Sequence, residues 1–148
     1  MRVAASEGPP LGLVAPFFVV APLGLLAAGA LFMASGEDAL LAINAPRTVA
    51  VTHATVLGWL TLSIMGAIYQ LGPAVLGGRL RWPRLARIQF WLHATSVAGF
   101  VVTLSEWNVP WMGLAGSGLV VSFILFLVNA IPAVRWFRRG SMPRLYIS

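Results

Sequence analysis

Four long apolar runs constrain this chain more than any other feature. They lie at 11–34, 47–71, 84–105 and 113–137. Each supplies the roughly 20 mainly apolar residues that a helix needs to cross the hydrocarbon core of a bilayer. The first run carries no charged residue at all. In lipid every backbone N–H and C=O must be satisfied within the chain, so runs of this length read as helices. Composition leaves no competing class: 59% of the 148 residues are hydrophobic and 9% are charged, whereas soluble domains average about 25% charged. A disordered chain would need the opposite balance. The short connections predict one domain over 1–148, an all-α integral membrane protein folded as an antiparallel four-helix bundle.

Punctuation between the runs agrees with this division. Ser35-Gly36-Glu37-Asp38 ends the first, and Pro46 precedes the second. Gly72-Pro73 and Gly77-Gly78 close the second, and Pro83 opens the third, where a missing N–H costs little. Glu106 through Pro110 reads as the turn into the fourth. Pro16, Pro22 and Pro132 fall inside spans, where local bending absorbs them. Residues 39–43 in the longest outer connection are expected to form a short interfacial helix. The first run is too long for a signal-peptide core and has only Arg2 ahead of it, so it is expected to remain as a span.

Charge sets the orientation. All ten basic residues are Arg, and the net charge is +6. They sit between apolar runs rather than along one polar face, which argues against a nucleic-acid partner. Arg2, Arg79, Arg81, Arg84, Arg87, Arg135, Arg138, Arg139 and Arg144 fall on one side of a four-span topology, and Arg47 alone falls on the other with Glu37, Asp38 and Glu106. The positive-inside rule then puts both termini in the cytoplasm. Trp107 and Trp111 would mark the outer interface, and Trp82 and Trp136 the inner one. Absence of Lys beside many Gly, Ala and Arg suggests a GC-rich bacterial genome, and hence a multi-pass protein of the bacterial cytoplasmic membrane.

Chemistry must come from few groups. There is no Cys, and both histidines, His53 and His93, lie within spans. Ionisable groups at membrane depth are functional candidates by default. A neutral imidazole sits in lipid without the desolvation cost of a charge, and it is the usual axial ligand of haem iron. Zinc hydrolysis would want a third ligand and a general base, but Glu7, Glu37, Asp38 and Glu106 are the only carboxylates and none lies deep in a span. Thr52, Thr55, Thr61, Ser63, Gln89, Thr95 and Ser96 are expected mostly to bond backbone carbonyls or neighbouring helices. Gln89 precedes His93 by four residues, so the two share a helix face. Gly58, Gly66, Gly99, Gly116 and Gly118 allow close approach of helices or of a flat cofactor.

Thr52-His53-Ala54-Thr55-Val56-Leu57-Gly58-Trp59, followed by Gly66-Ala67-Ile68-Tyr69-Gln70-Leu71-Gly72-Pro73, resembles the second helix of haem-copper oxidase catalytic subunits, the family of cytochrome oxidases and nitric oxide reductases. Arg87-Ile88-Gln89-Phe90-Trp91-Leu92 is similar to the start of their third helix, and Gly118 through Asn129 is similar to their fourth in pattern only. The likeness covers residues 47–130 and departs where the chain has four spans against the family's twelve, so the ligands of the haem-copper centre have no counterpart here. Oxygen or nitric oxide reduction is therefore not expected of this chain alone. The resemblance implies a low-spin haem b with His53 as axial ligand and Gly58 and Trp59 beside it. His93 is a second candidate ligand.

Depth speaks against a His53–His93 pair. At 1.5 Å per residue His53 lies about 9 Å, and His93 about 18 Å, below the outer ends of their helices. A sixth ligand could instead come from a partner chain in a homodimer, or from Met33, Met65 or Met112. The expected function is a small membrane b-type haem protein acting in electron transfer, gas or redox sensing, or haem handling. The alternative is a non-haem structural or assembly subunit of a larger respiratory complex. Membrane lipid is the expected surrounding in either case.

Overall fold

A computed structural model describes residues 11–37, 42–76, 80 and 82–140. They form four long helices, and no strand occurs among the described residues. Helix α1 is Leu11–Ser35. Helix α2 runs without a break through an α-helical segment Pro46–His53, a π-helical segment Ala54–Thr61 and a second α-helical segment Leu62–Leu76. Helix α3 is Pro83–Ser105 and α4 is Val109–Gly140. Each contains a stretch long and apolar enough to cross a membrane: Leu11–Ser35, Pro46–Pro73, Pro83–Ser105 and Val109–Ile131.

The ends have local causes. Gly36 follows α1 with φ +58°, a left-handed conformation that costs glycine nothing and stops the helix. The α3–α4 connection is tighter than the sequence suggests. The expected turn through Pro110 ends at Asn108, because proline fits the first turn of a helix, where its missing N–H would be unpaired anyway. Trp107 in that turn has φ +54°, unusual for a residue with a Cβ. The helix expected at 39–43 and the arginines Arg2, Arg79, Arg81 and Arg144 fall outside the described residues, apart from 42–43, where Ala42–Ala45 form a turn closed by a 3.0 Å Ala45 N–H to Ala42 C=O bond.

The π-helical segment explains how α2 packs. Among its buried positions, Ala50, Ala54, Gly58 and Leu62 follow at intervals of four, then Met65 and Tyr69 at intervals of three and four. In a regular α-helix each step of four residues overshoots a full turn by about 40°. Three such steps would carry the buried line well around the helix. The wider i→i+5 turn removes that drift and keeps the four small or aliphatic residues facing α1. Gly58 there lies against Gly24 of α1, so close that a Cβ on Gly24 would sit 2.5 Å from the Gly58 carbonyl carbon.

Two core clusters follow. One joins Leu13, Val14, Phe17 and Ala21 of α1 with Leu62, Met65 and Tyr69 of α2, Ala86 and Phe90 of α3, and Phe126 of α4. The other joins Ala28 of α1, Ala50 and Ala54 of α2, Val97, Val101 and Leu104 of α3, and Leu119 of α4. Asn129 of α4, fully buried, ties down the start of α3. Its Oδ1 accepts from the Trp82 N–H at 3.3 Å and its Nδ2 donates to the Trp82 carbonyl at 3.1 Å.

Candidate functional site

The two histidines have opposite local situations. His53 ends the first α-helical segment of α2 and is half-buried. Its Nδ1 is 2.8 Å from the Val49 carbonyl oxygen one turn back. A carbonyl can only accept, so Nδ1 carries a proton, and in the neutral ring Nε2 then holds the lone pair. Nε2 has no hydrogen-bond partner among the described residues. His53 lines a cleft of about 420 Å³ with Val56, Leu57, Phe100, Leu119 and Phe123. Its ring lies 5.4 Å from that of Phe100. A neutral imidazole with one nitrogen fixed by a backbone carbonyl and the other bare is the arrangement that metal-ligating histidines adopt. The cleft is of the size of small-molecule sites and is apolar apart from Thr52 and His53.

His93 is fully buried and has partners at both nitrogens. Nε2 lies 3.1 Å from the Leu57 carbonyl, so it donates. Nδ1 of the neutral ring then accepts from the Ser122 hydroxyl at 3.0 Å. The Ser122 oxygen in turn accepts from Gln89 Nε2 at 3.2 Å, and the same amide reaches Met65 Sδ at 3.1 Å. The chain from Gln89 through Ser122 and His93 to Leu57 thus has one direction throughout. Coordination of a metal by His93 would require breaking one of its two bonds.

The structure separates the residues that the sequence groups. Gly58 faces α1 through its contact with Gly24, and Trp59 is 38% exposed on the outside of the bundle. Neither lines the cleft beside His53. The wide turn after His53 is the reason, since it directs Gly58 toward α1. Of the methionines considered, Met33 is 80% exposed on α1 and Met65 accepts from Gln89. Met112 packs against the cluster that contains Leu119. None of the three lines the cleft. Among the described residues no three His, Asp or Glu side chains come together. Thr52, Thr55 and Thr95 bond carbonyls four residues back on their own helices, as expected of hydroxyls in apolar helices.

Sequence reasoning passes over Ser122, Phe100 and Phe123. A signal for Ser122 exists: it lies seven residues before Asn129, so the two buried polar groups of α4 share one face. Phe100 follows His93 by seven residues on α3 but contacts His53 of α2, a pairing only the helix arrangement supplies. A second, larger groove of about 610 Å³ lies between α1, α2 and α3, lined by small and aliphatic side chains including Gly24, Ala27, Ala54 and Ala98.

Comparison with known proteins adds no relative: no family model matches the chain, and no curated protein or solved structure matches it.

Proposed function

We propose that this is a small b-type haem protein of the bacterial cytoplasmic membrane that holds haem through Nε2 of His53. The observation that carries the reading is the His53 ring itself: Nδ1–H is committed to the Val49 carbonyl, Nε2 has no hydrogen-bond partner among the described residues, and the side chain borders an apolar cleft with Phe100 and Phe123 on its wall. Haem so bound would supply a one-electron redox centre. The chain's own residues hold Nδ1–H on the Val49 carbonyl and line the cleft with aromatic and aliphatic side chains. Electron transfer, gas or redox sensing and haem handling are the activities open to such a site. A relationship to the early helices of haem-copper oxidase catalytic subunits belongs to the same reading, narrowed to His53. Gly58 and Trp59 no longer form part of it, and His93 serves it differently.

The proposal includes an antiparallel bundle with both termini in the cytoplasm. The grouping of the first half of α1 with the second half of α2, the first half of α3 and the second half of α4 supports the alternation. The bias of nine arginines against one supports the orientation. Among the described residues the cleft offers no second protein ligand, which favours a homodimer whose partner chain completes it. The alternative of a structural or assembly subunit draws on His93, whose satisfied ring is what a packing histidine shows. One measurement separates the two. Detergent-purified protein should show a Soret band that His53→Ala abolishes. A colourless wild type, or a Soret band untouched by His53→Ala, refutes the haem reading.

A further inference from the structure

We infer that His93 is a positioning residue for the His53 site: by donating Nε2–H to the Leu57 carbonyl, it holds the wide turn of α2 that aims His53. The inference rests on the haem reading for its biological sense, but its geometry stands apart from it. The π-helical segment starts at Ala54, immediately after His53. A π-helical stretch is rare and needs something to hold it against relaxing into an α-helix. Here side chains donate to two successive carbonyls of the segment. Thr61 Oγ1 donates to the Val56 carbonyl at 2.8 Å, and His93 Nε2 donates to the next carbonyl, Leu57, at 3.1 Å. The Leu62 N–H bonds back to Trp59 instead.

His93 is well placed to act as a fixed post. It is 0% exposed, and the Gln89–Ser122 chain sets its tautomer and ring orientation. Its ring meets Phe123 edge-on, with centroids 5.5 Å apart. Leu57 and Phe123 both line the cleft that His53 borders, whereas His93 does not. His93 therefore touches two walls of the site from behind. Were the turn to relax to α-helical geometry, His53 would rotate about the α2 axis by tens of degrees relative to Met65 and Tyr69, away from Phe100.

Two substitutions in the full-length protein separate this role from the others open to His93. His93→Gln keeps an amide N–H for Leu57 and an oxygen for Ser122. His93→Leu keeps the bulk and loses the donor. In both variants His53 is the only remaining histidine, so its carbethoxylation rate, read by mass spectrometry on protein prepared without added haem, reports its setting directly. Haem retention and the absorption spectrum are the second readout, and the thermal midpoint shows that each variant is folded. The expected result is a wild-type spectrum and a wild-type His53 rate for His93→Gln. For His93→Leu we expect an altered His53 rate and haem held roughly tenfold more weakly, the factor that follows from leaving a buried acceptor unpaired. Loss of haem in both variants would make His93 a ligand and overturn the inference. Wild-type behaviour in both would reduce it to packing and overturn it equally. If the wild type binds no haem, the function proposed above fails while the carbethoxylation rates still decide this point. Should His93→Leu not fold, Ser122→Ala frees Nδ1 without touching His93. A changed His53 rate in that variant supports the inference, and an unchanged rate overturns it.

Discussion

Replacing Gly24 by Ala tests the helix crossing on which the whole arrangement of α2 depends. The added Cβ would lie 2.5 Å from the carbonyl carbon, 2.8 Å from the carbonyl oxygen and 2.9 Å from the Cα of Gly58, where ordinary contact is 3.4–4 Å. All three neighbours are backbone, so no side chain can swing aside. Relief requires α1 and α2 to move apart by about 1 Å, at the overpacking cost of ~1–3 kcal/mol. The intrinsic preference of Ala over Gly in a helix returns at most ~1 kcal/mol. With the full return a net loss of ~0–2 kcal/mol remains, a fall in thermal midpoint of up to roughly 8 °C for a chain of this size, and because Gly29→Ala enjoys the same return the two variants should differ by the whole ~1–3 kcal/mol. Gly29 on the same helix is the internal control, since nothing lies within 4 Å of its Cβ position. Gly29→Ala should be neutral or slightly stabilising. The assay is thermal unfolding of both variants and wild type in one detergent, followed by circular dichroism. Because Gly58 follows Leu57 in the π-helical turn, Gly24→Ala should also weaken haem retention while Gly29→Ala leaves it alone. Equal midpoints for the two variants would refute the close crossing and with it the account of why α2 widens there.

Asn129→Leu removes both bonds to the Trp82 backbone, so at least ~1–3 kcal/mol of stability should be lost; an unchanged unfolding midpoint would show that the start of α3 is anchored by other means. Arg84 and Arg87 are exposed at the beginning of α3, far along the helix from Phe100, and Arg84→Gln with Arg87→Gln should leave the haem spectrum unchanged; a shifted Soret band would place the cofactor at that end and exclude His53. A C-terminal reporter active only in the periplasm should stay silent if the proposed orientation, argued from the arginine bias in the sequence, holds; strong activity would reverse the orientation.

Hydropathy is a local property, and what rests on it could be read from the chain alone. The four spans and the two membrane histidines follow from residue order, because lipid demands about 20 apolar residues and tolerates no unpaired backbone. So does the shared face of Gln89 and His93, because the α-helical period is constant. The wide turn after His53 is a different matter. The residues Ala54 to Thr61 contain no proline or other marker of it, and it exists because α1 presents Gly24 to Gly58 while α3 presents His93 to Leu57. That turn removed Gly58 and Trp59 from the neighbourhood assigned to them. The contrast between the histidines was equally invisible in sequence. Among the described residues His53 finds its hydrogen-bond partner four residues back on its own helix, a contact residue order can supply. His93 finds Ser122 on α4 and Leu57 on α2. Whether a ring nitrogen is free depends on donors and acceptors brought in by other helices, so only packing in three dimensions decides which imidazole is left with a lone pair to offer.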